Sequence, residues 1–176
     1  MIEVFGSLLV LVLVLLVVGS LAYGALSAAP WVPLRSRDVA RLIEFCQPQP
    51  GEVLVDLGCG DGRIITTAAR RYGLKSVGYE VALVPYFLAQ LRILWSGTRG
   101  RARVHLKSFW GVDLSSADIV VCFLTPSAMA RLAPKLEREI KPGARFATYA
   151  FSLPGRAPSG VSKPNPSDVS VYLYTN

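Results

Sequence analysis

Three glycines at alternate positions, Gly58, Gly60 and Gly62, follow the apolar run Val53-Leu54-Val55-Asp56-Leu57. A strand that runs into such a turn and then into a helix belongs to very few folds. Glycine accepts positive φ and lets a ligand approach the backbone, and a helix N-terminus offers N–H groups to a carboxylate or phosphate. A second acid, Glu80, ends the next apolar run, 22 residues after Gly58. A carboxylate in that place can accept both hydroxyls of a ribose. The pattern departs from a dinucleotide site, which reads GxGxxG. Here it is DxGxGxG, and Asp56 puts a negative charge at the strand end. That charge repels a pyrophosphate and attracts an ammonium or sulfonium group.

The rest of the chain repeats the alternation. Strands are expected at 52–57, 76–79, 102–106, 119–123, 145–151 and 169–174, with helices at 62–72, 81–95 and 126–140 between them. Such alternation marks βαβ units and a parallel sheet. Ser36 is expected to cap a lead-in helix at 37–45, and Pro48, Pro50 and Gly51 to form a turn. Residues 153–168, rich in Pro, Ser and Gly, carry no helical pattern.

The glycine turn resembles motif I of the class I S-adenosylmethionine-dependent methyltransferases, and Glu80 resembles their second acid. That resemblance implies an α/β, Rossmann-like, doubly wound and mostly parallel sheet, with S-adenosylmethionine as cofactor. It implies that Gly58, Gly60 and Gly62, with Cys59 and Asp61 between them, border the methionine part. Asp56 would lie near its amino group, and Glu80 would hold the ribose. A narrower resemblance rests on Pro30-Trp31-Val32-Pro33 after an apolar helix, the Asp-Leu-Gly-x-Gly-Asp-Gly-Arg turn, Phe109-Trp110 followed by Val112-Asp113-Leu114, and Phe123-Leu124-x-Pro126. In that order they resemble the membrane-anchored protein-lysine methyltransferases of the adenine nucleotide translocase and ATP synthase c-subunit type and their prokaryotic relatives. Ser108 stands where many of these carry an acid against the adenine amino group, and Phe123 where they tend to carry Tyr. Ser108, Phe109 and Trp110 are therefore expected around the adenine, and the antiparallel hairpin after Phe151 is expected to be reduced. Thr125 and Pro126, after the fourth strand, are the expected border of the methyl-transfer site. No general base stands out; Asp61, Asp113 and Tyr149 are candidates.

Residues 4–26 contain no charge. As a helix they extend roughly 34 Å, enough to span a hydrocarbon core of about 30 Å. Arg35, Arg37 and Arg41 follow this run and no base precedes it, so the positive-inside tendency places the rest of the chain on the cytoplasmic side of a membrane crossed once. Tyr23 and Trp31 sit near the end of the run, where aromatic rings favour the headgroup layer; for Trp31 the alternative is packing on the domain. The expected organisation is an anchor at 1–28, a linker and lead-in helix at 29–50, and a cofactor-binding domain at 51–176. With Glu3 set aside, nineteen Lys and Arg face eleven acids, about +8. Anionic headgroups attract such a domain. So does nucleic acid, but an anchor is an odd companion for that and no nucleic-acid partner is expected. Arg99, Arg101 and Arg103 alternate as on one face of an exposed strand, where charge opposes edge-to-edge pairing.

Cys46, Cys59 and Cys122 share no short metal spacing and read as free thiols; with His105 as the one histidine, no metal site is expected. A hydrolase would have to use His105, which sits in an alternating strand pattern. The expected partners are a bilayer and a methyl acceptor, either a lysine of a membrane protein or a lipid or quinone-like small molecule. A cofactor domain serving only as scaffold, and a nucleotide-dependent oxidoreductase, are the rival readings.

Overall fold

Strands buried on both faces have no polar positions to give to water, so they read as short continuous apolar runs. That accounts for β1 (Val53–Leu57) and β4 (Ile119–Cys122), the latter buried throughout. The computed structural model describes residues 2–176, with side chains from Val4 onward; Met1, at the start of the expected anchor, lies outside the described residues. The further strands are β2 (Lys75–Glu80), β3 (Ala102–Leu106), β5 (Arg145–Tyr149), β6 (Gly160–Ser162) and β7 (Val171–Thr175). The helices are α1 (Ile2–Ser27), α2 (Ser36–Phe45), α3 (Arg63–Tyr72), α4 (Leu83–Trp95) and α5 (Pro126–Glu139). The strands form one seven-stranded sheet in the order β3-β2-β1-β4-β5-β7-β6. β1 to β5 are parallel, and β7 runs antiparallel between β5 and β6.

The sheet is covered on both faces. Val39, Leu42 and Ile43 of α2, Ile65 and Ala68 of α3, and Ala89 and Ile93 of α4 pack with Leu54, Val104, Ile119 and Ala147. Met129, Leu132 and Leu136 of α5 pack with Val55, Leu57, Val120, Phe146 and Tyr174 on the opposite face. This is the parallel βαβ sheet expected from the alternation, in the doubly wound form that the resemblance implies.

Besides shifts of one or two residues at element ends, as in α4 and β7, the details differ at four places. Ser36 lies inside α2, and the N-cap is Arg35, with no side-chain cap bond. The fifth strand stops at Tyr149, because Ala150 turns to φ 72°. The segment read as irregular contains β6, a three-residue strand on the far side of β7, so the terminal hairpin is short but completes the sheet. Of the three alternating arginines only Arg101 flanks and Arg103 lies in β3; both are exposed, with Ala102 and Val104 buried between them on an edge strand.

α1 stands apart from the core. Its stretch Val4–Ser27 has mean hydropathy 2.9 and is left uncovered, a candidate membrane span by length and composition. Each Leu or Val so exposed forgoes roughly 1.5–3 kcal/mol relative to burial. Only its last turns touch the domain. Gly24 is buried, and a side chain there would meet Val81 and Ala82. The Ser20 hydroxyl accepts from the Leu83 N–H at 3.1 Å.

Candidate active site

In an open α/β sheet, ligands bind at the carboxyl ends of the strands where the order reverses. Here that point lies between β1 and β4, and the glycine turn follows β1. The turn is held from within. Gly58 and Cys59 both donate their N–H to the Tyr79 carbonyl at 3.0 Å, and Gly62 donates to Cys59 at 3.0 Å. Cys59 fits because residue 78 is glycine; a β-carbon there would lie 2.5 Å from the Cys59 sulfur. Gly62 (φ 73°) caps α3 and lies against Ala89 of α4, 2.9 Å from where its own β-carbon would be. It sets the packing of two helices and does not line the cleft.

Glu80, the acid expected at the ribose, has three partners within the chain. Its Oε2 accepts the Gly60 N–H at 2.9 Å, and its Oε1 accepts those of Val81 and Ala82 at 2.7 and 2.8 Å. The carboxylate thus clasps the glycine turn to the loop after β2. One of the N–H groups expected to face a ligand carboxylate, that of Gly60, is consumed here. Glu80 still borders the cleft, and Oε2, which accepts one N–H, keeps a lone pair for a hydroxyl, whereas Oε1 already accepts two.

Asp56 is the unsatisfied member. It is 1% exposed, and its Oδ2 is buried with no hydrogen-bond partner among the described residues. Burial, then the charges of Glu80 and Asp61, push its carboxyl well above the usual carboxylate range. A cation entering the cleft would return the proton-free form to stability. Asp61 lies five residues on. Burial raises its pKa, but Arg63 and Arg92 overcome this and hold it below the usual range. Its carboxylate accepts from Arg63 at 2.9 and 2.6 Å and from Arg92 at 2.7 Å.

The cleft gathers Asp56, Gly58, Cys59, Gly60, Asp61, Glu80, Ser108 and Phe109. It does not gather Trp110, Thr125 or Pro126. Trp110 was expected against the adenine; its indole N–H instead donates to Ser27 at 3.2 Å, and the Arg131 guanidinium lies 4.0 Å from its ring centre. Ser108 accepts from the Trp110 N–H at 3.4 Å and so caps the single 3₁₀ turn Phe109–Gly111. Thr125 is the N-cap of α5, and both its N–H and its hydroxyl donate to the Ala28 carbonyl, at 3.2 and 2.7 Å. Pro126 begins α5 and is exposed. Of the candidate bases, Asp113 turns to Ser115 and Tyr149 donates to Asp38 at 3.2 Å, both outside the cleft.

The cleft's remaining wall is the strap of residues 28–34, which sequence reasoning did not assign to it. The strap is fastened at both ends: Thr125 holds the Ala28 carbonyl, and Arg63 donates to the Leu34 carbonyl. Trp31 lies directly on Gly60, its ring atoms 2.8 and 2.9 Å from where a β-carbon at 60 would sit. Of the two readings of Trp31, packing on the domain is the observed one. The proline pair around it was the available signal, since Pro30 and Pro33 stiffen a short crossing.

The chemistry is that of a cationic, ribose-bearing ligand. A buried, unpaired carboxylate suits an ammonium group, a clasped carboxylate with a spare lone pair on Oε2 suits a hydroxyl, and Phe109 and Trp31 supply apolar walls. These residues fit S-adenosylmethionine.

Comparisons with known proteins agree. Residues 56–160 match the family model described as the ANTKMT methyltransferase domain. The chain is 38% identical over 148 residues to a protein-lysine N-methyltransferase of Saccharolobus islandicus, covering 82% of this chain and 92% of that protein. It is 36% identical to the ATP synthase c-subunit lysine N-methyltransferase of Rattus norvegicus, covering 73% and 59%, and 36% identical to the adenine nucleotide translocase lysine N-methyltransferase of Mus musculus, covering 75% and 57%. The chain thus spans a little over half the length of these two mammalian relatives. Among solved structures, an RNA methyltransferase from Salinibacter ruber in complex with S-adenosyl-L-homocysteine matches with TM-score 0.78 and 29% identity, over 82% of this chain and 93% of that one.

Proposed function

From the premise that this chain belongs to the ANTKMT methyltransferase-domain family and is an S-adenosylmethionine-dependent methyltransferase, we propose that it methylates a lysine side chain of a membrane-embedded or membrane-bound protein. The observation that carries this is the shared wall. The end of the apolar helix, Leu21, Gly24 and Ala25, and the strap that follows it line the same cleft as Asp56 and Glu80. If α1 enters a bilayer, the cleft opens where the chain leaves it. The division proposed is an anchor at 1–28, a lead-in at 29–50 that packs into the core through α2, and the cofactor domain beyond. The proposed orientation puts that domain on the cytoplasmic side, after Arg35, Arg37 and Arg41.

When bound, S-adenosylmethionine supplies a methyl group on a positively charged sulfur. Asp56 holds the ammonium end, and Glu80, while clasping Gly60, accepts from the ribose. Gly58 would let the methionine part approach the backbone, while the missing side chain at Gly60 makes room for the Trp31 ring. Ser108 and Phe109 border the adenine side. Trp31 excludes water from above, which strengthens each of these contacts. The lone pair of the lysine nitrogen would take that methyl group, the S–C bond breaking with its electron pair left on sulfur. The lysine must arrive neutral. Asp61 is committed to two arginines and Asp113 and Tyr149 lie outside the cleft, so none of them removes that proton; an apolar approach beside a membrane lowers the lysine pKa instead. Thr125 acts as a positioning residue, through the strap.

A second reading, methylation of RNA, is favoured by the activity for which the Salinibacter protein is named and by the basic charge. One experiment separates them. Full-length protein is incubated with native membranes, total RNA and methyl-labelled cofactor, and label is followed into protein, lipid and RNA fractions. Methyl-lysine in a membrane-protein peptide is the expected product. Label in lipid or RNA alone overturns the lysine reading. No transfer to any fraction, from folded protein that binds cofactor, favours the scaffold.

A further inference from the structure

α4 turns an apolar face to the core and another away from it. Pro85, Ala89 and Ile93 face the core. Phe87, Leu88, Leu91, Leu94 and Trp95 are exposed, Phe87 by 59% and Trp95 by 79%. At about 100° per residue these five fall in one arc opposite the buried three, with Gln90 and Arg92 at its borders. The neighbouring α3 is the contrast, since its exposed positions are Arg70 and Arg71. A helix apolar on opposite faces needs cover on both.

Two observations identify the cover. The first is depth. α1 meets the start of α4 at Ser20 and Gly24, inside its own apolar stretch Val4–Ser27. Counting from Val4, about 20 residues fill a hydrocarbon core. Ala82 and Leu83 therefore stand level with the end of the span, where hydrocarbon gives way to headgroups. The second is charge. Residues 81–112 contain no Asp or Glu, but they carry Arg99, Arg101, Arg103 and Lys107, besides Arg92, whose charge is paired to Asp61. Such a segment is attracted to anionic headgroups, and an exposed Trp ring suits the same layer.

We propose that the outward face of α4 is a second membrane-contact surface, lying in the plane of a bilayer that contains anionic lipid. This rests on the reading that α1 enters the bilayer. A single crossing helix, docked as α1 is, would leave the domain free to rotate about that helix's axis and to tilt with it. Two contacts, one crossing and one lying flat, hold the cleft at one height and one orientation to its acceptor. In-plane helices bind in this way through an apolar face and flanking bases.

The test uses the full chain in vesicles of phosphatidylcholine and phosphatidylglycerol. The three native cysteines are buried, so a nitroxide label can be directed to a cysteine introduced by Leu91→Cys. Leu11→Cys in α1 and Thr67→Cys in α3 are the references. Collision rates with oxygen, which partitions into lipid, and with a water-soluble nickel chelate are measured at each. The expected result is high oxygen access at 91 and 11, with nickel access at 67. Oxygen access at 11 with nickel access at 91 overturns the proposal and leaves the anchor standing. Nickel access at both sites overturns the anchor and the proposal together. A label at 91 shielded from both reagents, with spin–spin broadening, means a second copy covers α4, which also overturns it. In phosphatidylcholine alone, oxygen access is expected to fall at 91 and not at 11; equal access in both lipids overturns the anionic-lipid requirement.

Discussion

Asp56 and Asp61 stand five residues apart around one turn, both nearly inaccessible, and burial acts on both in the same direction. Asp56 has a buried oxygen with no partner and a pKa pushed up. Asp61 is held by two guanidinium groups and its pKa is pulled down. A buried carboxylate that the fold leaves unpaired costs stability and persists where a ligand completes it. A buried carboxylate that the fold pairs is part of the frame. Burial alone does not separate a binding group from a structural one; the partner does.

The largest test of this contrast is Asp56→Asn. Losing a charge-assisted bond to the cofactor's ammonium is expected to weaken S-adenosylmethionine binding by about 30- to 100-fold, or roughly 2–3 kcal/mol. Thermal unfolding of the same variant without cofactor should occur at higher temperature than for the parent. Calorimetric titration with thermal melts checks both, and a variant that binds normally removes Asp56 from the cofactor site.

Asp61→Asn should do the reverse. It leaves two arginines without their shared acceptor and is expected to cost about 2 kcal/mol of stability, less than a fully buried pair would, because Arg63 and Arg92 reach water. Urea midpoints measure this. Cofactor affinity under conditions where the variant stays folded should change far less than for Asp56→Asn.

The two acids also predict opposite pH behaviour. Asp56 has a raised folded pKa, so its contribution to stability is fully present below the ordinary carboxylate range and is lost as pH rises through that raised value. Asp61 has a lowered folded pKa, so its contribution is present above the ordinary range and is lost as pH falls through the lowered value. Cofactor affinity should rise with pH as Asp56 ionises, and Asp56→Asn should flatten that rise. Titration at a series of pH values decides it; an unchanged slope in the variant assigns the rise to another group.

The smallest effect is expected from the strap. Trp31→Ala removes an aromatic wall over Gly60 and should weaken cofactor binding about 5- to 10-fold, near 1 kcal/mol. Stability should move little, since Trp31 lies at the cleft and outside both core clusters. A loss of stability without a loss of affinity would make the strap structural only.

Much of this site was legible in the sequence. The run 53–57, the three glycines and Glu80 announce strand, turn, helix, strand and acid because each signal is local: hydrophobic period, positive φ, and a carboxylate one βα unit away. The S-adenosylmethionine dependence followed from that pattern by resemblance, and the relatives bear it out. Less legible were Trp110, which turns to Ser27 and Arg131, and Thr125, which turns to Ala28. Their neighbours in the chain suggested the cleft, while their partners come from 83 and 97 residues away. That Glu80 clasps Gly60 depends on where the turn folds back, which no local signal carries. β6 escaped notice because three residues carry no measurable alternation.

What the amino-acid order determined by itself was the alternation of strands and helices, the left-handed turn positions and the uncharged helix. These follow from steric and hydrophobic preferences that act within a few residues. Tertiary structure decided which of two buried acids would be left without a partner, that a strap with Trp31 would roof the glycine turn, and that α4 would turn Phe87, Leu91 and Trp95 outward. Those outcomes depend on groups brought together from distant parts of the chain, and no local preference encodes which charge, ring or surface will be waiting there.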